Sequence, residues 1–233
     1  MMKQEEMKNT ELFDLTQTIA ARLFGMYTYP WEAVSHIGKC ITSIGKHLPE
    51  EEYQKLGKNI WIHKSARMAR SVMMTGPAII CAGAEVRHGA FLRGNTIIGE
   101  GAVVGNSCEL KNVVLFNGAQ VPHFNYVGDS ILGYKAHMGA GAVTSNVKSD
   151  KTLVKIHAAD GDIVTGLKKV GAFLGDGVEV GCQTVLNPGT VVGRNTNIYP
   201  LSSVRGCVAA NSIYKKADEI VEKEERETEE TTK

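Results

Sequence analysis

Two basic residues, Arg93 and Lys111, occupy equivalent positions in a sequence repeat. Each follows a leucine, Leu92 or Leu110, and the two are 18 residues apart. If 18 residues make one coil, both cations stack on one corner about 5 Å apart. Like charges so close repel unless an anion lies between them, and phosphate suits an arginine fork beside a lysine ammonium. The spacing indicates either a phosphate site or, in the simpler alternative, two solvated surface cations.

A histidine, His123, lies in the segment VPHFNYVGDSILG (residues 121–133), in which the repeat loses one residue. A neutral imidazole suits general base catalysis, and Glu109 is a candidate to fix its tautomer. Because a break in strand register can re-aim a side chain, we expect this break to swing His123 outward. The alternative is an ordinary surface or structural histidine.

The elements that must position these residues repeat every six positions. The apolar residues at this spacing are Ile62, Met68, Met74, Ile80, Val86, Leu92, Ile98, Val104, Leu110 and Phe116, then Leu174, Val180, Leu186, Val192, Ile198 and Val204. This period fits neither a helix nor a hairpin and is typical of a parallel β-helix. With three hexads per coil, one interior column should hold Ile62, Ile80, Ile98 and Phe116. The spacing itself gives no reason to depart from right-handed crossovers.

Three segments depart from the repeat, so we expect a β-helix over residues 59–208 with additions. Residues 1–58 form a helical cap, with helices predicted in LFDLTQTIAARLFGM, TYPWEAVSHIGKCITSIGKHL and EEEYQKL, which cap or dock onto the β-helix. Residues 148–170 contain Asp160-Gly161, a hairpin turn signal, and should form a projecting β-arm. The charged tail, residues 209–233, is predicted to be a fraying helix or disordered.

The composition excludes several classes of function. With 26 basic and 25 acidic residues, the chain has no overall field that favours nucleic acid or an anionic membrane. It contains no apolar run long enough to span a membrane and no signal peptide, so we expect it in the cytoplasm. Its five cysteines form no CxxC pair and suit reduced thiols. Since His88, His123 and His137 lack close spacing, no metal is expected.

The stretches GAVVGNSCELKNVVLFNGAQVPHFNYVGDSILG and AHMGAGAVTSN resemble the acetyltransferase domain of the bifunctional enzymes that make UDP-N-acetylglucosamine from glucosamine-1-phosphate. The sequence of these stretches most resembles that of the archaeal-type sugar-1-phosphate nucleotidyltransferases that carry this C-terminal domain. The resemblance runs without gaps from Arg93 to Asn146. It implies a left-handed β-helix, a homotrimer, acetyl-CoA as the donor, and an active site between neighbouring subunits.

The resemblance also implies roles for individual residues. His123 corresponds to the catalytic base, and Glu109 to a glutamate near it. The positions that correspond to substrate-binding residues are Arg93 for the phosphate, Lys111, Tyr126 and Asn146. Those that correspond to the coenzyme A channel are Ala140, Cys182 and Pro200. His137 departs from the family, because the bacterial enzymes have a sugar-contacting asparagine there, which leaves the identity of the sugar open.

Our primary hypothesis is an N-acetyltransferase that acts on an amino-sugar phosphate, such as glucosamine-1-phosphate, in nucleotide-sugar biosynthesis. His123 accepts the amine proton, while backbone N–H groups near Gly139 and Ala140 stabilise the oxyanion. The alternative is a non-catalytic trimeric scaffold or regulatory partner of a separate sugar nucleotidyltransferase. Residues 1–58 contain no Gly-rich phosphate loop, so nucleotidyl transfer is not expected. Because Arg93 and His123 fall on different corners, we expect chains of a closed trimer to share the site.

Overall fold

The chain winds into a three-sided prism in which short strands stack in parallel on each face. The computed structural model describes residues 2–217 and 219–223. The prism begins at Ile60 and its last strand ends at Lys216. The predicted left-handed parallel β-helix of hexapeptide repeats is therefore confirmed.

Each face contains one strand from every coil. The first-face strands are Ile60–His63, Ala78–Ile80, Thr96–Ile98, the second halves of Glu109–Leu115 and Tyr126–Leu132, Ala172–Leu174, Thr190–Val192 and Cys207–Val208. The second-face strands are Arg67–Met68, Glu85–Val86, Val103–Asn106, Gln120–His123, His137–Met138, Glu179–Val180, Asn197–Ile198 and Ser212–Lys216. The third-face strands are Met73–Met74, Phe91–Leu92, the first halves of Glu109–Leu115 and Tyr126–Leu132, Val143–Thr144, Val185–Leu186 and Ser203–Val204.

The interior column predicted from the hexads holds for three coils and then shifts by one residue. Ile62, Ile80 and Ile98 stack in register, 18 residues apart. Leu115 continues the column instead of Phe116, because this coil has 17 residues. Phe116 points outward and packs against the N-terminal segment, so its predicted interior position is wrong.

The missing residues lie at one corner of the prism, between the third and first faces, in two successive coils. The turn at this corner is one residue short between Leu110 and Val113 and again between Val127 and Ser130, and neither position is beside His123. His123 itself lies within a regular hexad. The predicted break that swings His123 outward is therefore wrong, because an ordinary corner position already exposes this residue.

The N-terminal segment is a series of short turns and helices. Its α-helices are Asn9–Leu12, Ala21–Gly25, Pro30–Val34 and Ile37–Gly45, with 3-10 helices at Gln4–Met7 and Leu15–Gln17. The single helix predicted over LFDLTQTIAARLFGM is wrong because Phe13 and Thr18 are extended and the Asp14 carboxylate accepts the Thr16 N–H. The predicted helix EEEYQKL is instead the strand Tyr53–Leu56, antiparallel to Ile60–His63.

The helices dock along the first face of the prism. This face is apolar on both sides, since Ile80 points inward while Ile79 points outward into the helices, and both are fully buried. The contacts of Ile37–Gly45 with the first-face strands Ala78–Ile80 and Thr96–Ile98 show where the segment lies. The outward side chains of the second face are mostly polar, whereas the third face carries both polar and apolar ones, among the latter Met73, Phe91, Val143 and Val185.

The inserted segment forms the predicted hairpin from Lys155–Ala158 and Gly161–Val164. Gly161 takes a φ of +125°, which favours glycine. One side of the hairpin packs against the N-terminal segment, because Ile156 is fully buried there and Ala159 N–H donates to Met2 O at 2.8 Å.

The described part of the tail forms strands rather than the predicted fraying helix. Ser212–Lys216 pairs in parallel with Asn197–Ile198 and in antiparallel fashion with Glu219–Glu222. The tail forms a strand because the open edge of the second face offers it backbone hydrogen bonds, which the composition of the tail does not reveal. Residues 224–233, also covered by that prediction, lie outside the described residues. Within the described ranges, every helix falls short of the length and apolar character that a membrane span requires.

Candidate active site

The corner between the second and third faces, which we call the His123 corner, collects several predicted residues into one column. Backbone hydrogen bonds join its successive coils, from Gly141 N–H to His123 O at 3.0 Å, Gln183 N–H to Ala140 O at 2.9 Å and Leu201 N–H to Cys182 O at 2.9 Å. The structure thus aligns the predicted base with Ala140, Cys182 and Pro200, the residues predicted to line a coenzyme A channel.

Asn125 fastens this corner from inside the prism. Its Oδ1 accepts the backbone N–H of His123 at 3.0 Å, and its Nδ2 donates to Gly139 O at 2.8 Å and Ala142 O at 2.9 Å. The residue is 2% exposed. No role was predicted for Asn125 from the sequence, although a polar residue in a position otherwise held by small apolar ones was a usable signal.

The imidazole of His123 projects into solvent. Across the described residues, no hydrogen bond or ion pair involves this ring, whereas Glu109 is paired with Arg93. The predicted contact in which Glu109 fixes the tautomer of His123 is therefore not present in the single chain. The ring is free to meet a ligand or a second chain.

The two predicted oxyanion donors, the N–H groups of Gly139 and Ala140, differ in whether they are already hydrogen-bonded. Gly139 N–H donates to Val180 O at 2.7 Å and is occupied, so this donor is not available as predicted. Ala140 N–H has no hydrogen-bond partner within the described ranges and can donate to a ligand. Gly139 is needed for close packing, since a Cβ there would lie 2.7 Å from the backbone nitrogen of Cys182.

Arg93 and Glu109 form an exposed ion pair on the third face. Arg93 Nη1 lies 2.5 Å from Glu109 Oε1, and the side chains are 45% and 36% exposed. Glu109 is also in register with Tyr126 on the next coil. The Arg93 guanidinium therefore folds back from its corner over the third face.

Lys111 makes a more buried ion pair, at the corner between the third and first faces, which we call the Asp129 corner. Its Nζ lies 3.2 Å from each carboxylate oxygen of Asp129, whose side chain is 5% exposed. The amides of Asn112 and Asn146 donate to the same carboxylate at 2.9 and 2.5 Å. No role was predicted for Asp129 from the sequence, because its contacts depend on the two shortened coils.

The stacking of Arg93 above Lys111 is present, since Leu92 and Leu110 are paired in register. However, each cation has its own carboxylate. The repulsion that led us to predict an intervening anion is therefore relieved by Glu109 and Asp129 within the chain.

Tyr126 and Asn146 meet over a glycine. Asn146 Nδ2 lies 3.4 Å from the Tyr126 hydroxyl, and a Cβ on Gly128 would lie 2.5 Å from that hydroxyl. Burial raises the pKa of Tyr126, and the carboxylates of Asp129 and Glu109 raise it further. Tyr126 therefore remains protonated at neutral pH and can donate a hydrogen bond to a ligand.

His137 lies on the second face, apart from the third-face cluster. Its Nδ1 is 2.8 Å from Glu179 Oε2, and the pair lines a shallow cavity with Gln120 and Lys135. Within one chain His137 is therefore not grouped with Tyr126. Among the described residues, no set of three potential ligands is placed to hold a metal ion.

The fold and these two corners define a hexapeptide-repeat β-helix of the kind found in acyltransferases. Residues 74–196 match the family described as the GMPPB C-terminal domain, and the chain belongs to that family.

Several curated relatives are bifunctional. The chain is 36% identical over 132 residues to the bifunctional protein GlmU of Methanococcus maripaludis strain C5, covering 57% of this chain and 32% of the relative. It is 34% identical over 126 residues to the bifunctional sugar-1-phosphate nucleotidylyltransferase/acetyltransferase of Sulfurisphaera tokodaii, covering 54% and 31%. The chain thus spans about a third of the length of these relatives. YaiX of Escherichia coli K12, described as an uncharacterized acetyltransferase, is 31% identical over 189 residues, covering 72% and 82%.

Proposed function

We propose that this chain transfers an acetyl group from acetyl-CoA to the amino group of an amino-sugar phosphate such as glucosamine-1-phosphate. The observation that carries the proposal is the alignment of His123 with Ala140, Cys182 and Pro200 on one corner. This corner borders the face that presents Tyr126. The acetyltransferase names of the relatives support the same reaction class.

The chemistry assigned to the chain is proton transfer and charge stabilisation. Acetyl-CoA supplies the acetyl group as a thioester. His123 accepts a proton from the acceptor amine as its nitrogen bonds to the thioester carbonyl carbon. The N–H of Ala140 donates to the oxygen on which negative charge develops. When the carbon–sulfur bond breaks, His123 returns the proton to the departing thiolate, so that the base is regenerated.

Arg93 is the cation best placed to bind the phosphate. Its ion pair with Glu109 is exposed, and exposed pairs contribute little to stability. A phosphate can therefore take the guanidinium from Glu109 at low cost. Lys111, one coil further along the same corner, is instead held by the buried Asp129 and is less available to a ligand.

We also propose a cyclic homotrimer that works in the cytoplasm. The first face is covered by the helices, which leaves the other two faces and the His123 corner open to a neighbour. A neighbouring chain that packs there would place its own side chains beside His123.

The decisive experiment measures acetyl-CoA consumption by the purified chain with glucosamine-1-phosphate and a panel of other amino-sugar phosphates. His123→Gln is the matched control, because an exposed ring can be replaced without disturbing the core. Turnover by the native chain and its loss in the variant support the proposal. Absence of turnover with every acceptor would refute it.

A second candidate, a trimeric scaffold or regulatory partner of a separate sugar nucleotidyltransferase, is favoured by one observation. Both stacked cations are already neutralised by carboxylates of the same chain, so no anion is required for their stability. Copurification of such a nucleotidyltransferase at native expression levels, together with no acetyl transfer, would establish this function instead.

A further inference from the structure

The Asp129 corner stacks three polar side chains from consecutive coils. Asn112, Asp129 and Asn146 follow one another at intervals of 17 residues, which is the length of the shortened coils. The Asp129 carboxylate lies between the two amides, with Oδ1 facing Asn112 and Oδ2 facing Asn146. Lys111 reaches both oxygens from the side.

This arrangement decides which end of the Asn146 amide is free. An ionised carboxylate only accepts hydrogen bonds, so the NH2 group of Asn146 must face Asp129. The same nitrogen also approaches the hydroxyl of Tyr126. The carbonyl Oδ1 of Asn146 has no hydrogen-bond partner in the described part of the chain, and the residue is only partly buried.

We propose that Asp129 is a positioning residue that holds the Asn146 amide in one orientation, so that Asn146 Oδ1 accepts a hydrogen bond from the acceptor substrate. An amino sugar offers suitable donors in its amine and hydroxyl groups. The inference rests on the proposed acetyl transfer, and it adds the orientation of the amide and the residue that sets it.

Substitution by asparagine tests the orientation directly. In Asp129→Asn, the new NH2 group must face one of the donors Lys111, Asn112 or Asn146. The Asn112 amide also donates to Val34 O at 3.2 Å, so the Asn146 amide is the group that can relieve this clash by rotating. Its NH2 end then faces the substrate. We expect kcat/KM to fall roughly ten- to hundredfold, because the substrate's donor then faces an NH2 group and is left without an acceptor.

The exchange variant Asp129→Asn/Asn146→Asp separates this role from a merely structural one. There the NH2 group of residue 129 donates to a carboxylate at residue 146, which keeps a second oxygen free to accept from the substrate. Asn146→Asp alone places two carboxylates together and should impair the protein. The double variant should therefore be more active than either single variant, a non-additivity expected only for residues in contact.

Two readouts keep the failure of this inference distinct from that of the proposed function. Glucosamine-1-phosphate binding is measured by calorimetry beside kcat/KM, with Glu100→Gln as a control that removes an exposed carboxylate elsewhere on the prism. If the native chain binds but does not turn over, the proposed function fails while the binding cycle still tests Asp129. Unchanged binding and kcat/KM in Asp129→Asn, or a double variant no better than the singles, would overturn the inference. A native chain that binds neither this ligand nor the other amino-sugar phosphates would overturn both.

Discussion

The ammonium group of Lys111 lies 3.2 Å from both oxygens of an Asp129 side chain that is 5% exposed. Arg93, one coil earlier on the same corner, instead pairs with the exposed Glu109. Two cations in equivalent positions are thus held with different strength. This difference separates a structural cation from one that is available to a ligand.

The buried pair should matter for stability. Asp129→Ala leaves the Lys111 ammonium and two amides without their acceptor, and we expect a loss of about 3 kcal/mol in the free energy of unfolding. Glu109→Ala, the matched carboxylate of the exposed pair, should change it little. Urea denaturation followed by circular dichroism measures both. Equal losses in the two variants would contradict the distinction.

His123→Ala should abolish most acetyl transfer and leave folding unaltered, since the ring is exposed and makes no hydrogen bond or ion pair with the described residues. A general base contributes roughly 10² to 10⁴ in rate. Activity of the native chain should decrease on acidification because a protonated imidazole cannot accept the amine proton. Steady-state rates measured between about pH 5.5 and 8 check this. A rate that does not depend on pH would point to another base.

Arg93→Ala should weaken binding of phosphorylated acceptors selectively. The loss of a charge-assisted contact predicts roughly a ten- to hundredfold higher KM for the amino-sugar phosphate. The KM for the corresponding unphosphorylated amino sugar should change little. If both acceptors lose affinity equally, the phosphate is bound elsewhere.

The corners that hold Arg93 and His123 are separated by the third face, which predicts a site shared between chains. Light scattering should give three times the chain mass. Mixing inactive Arg93→Ala with inactive His123→Ala chains, after dissociation and reassembly, should restore part of the activity. A fully active monomer would refute the shared site, and trimers that never complement would place both residues in the same chain's site.

Cysteine labelling should single out Cys182. Burial raises the pKa of Cys81 and of Cys207 to about 12, so both remain protonated and unreactive at neutral pH, whereas Cys182 is exposed. Iodoacetamide at pH 7.5, read by peptide mass spectrometry, should modify Cys182 first. Coenzyme A should slow this reaction if the His123 corner holds it. Labelling that coenzyme A leaves unchanged would remove Cys182 from the channel.

The hexad period predicted the β-helix because one apolar side chain per face must point inward in every coil, whatever surrounds the prism. How the residues before Ile60 dock on the prism was harder to predict from the sequence. Short apolar helices and strands have similar local patterns, and the strand Tyr53–Leu56 forms only because the edge of Ile60–His63 offers hydrogen bonds. The tail strand Ser212–Lys216 follows from the same kind of edge on the second face.

In the candidate site, too, some features follow from the sequence and others depend on the tertiary structure. Residue types and spacing by themselves determined that Arg93 stacks above Lys111 and that His123 stands on a different corner, because these depend only on counting residues along coils. Only the tertiary structure decided that Glu109 pairs with Arg93, that Asp129 holds Lys111 and Asn146, and that His137 turns to Glu179. Those partners come from neighbouring coils, and the removal of a single residue from a coil changes which side chains meet.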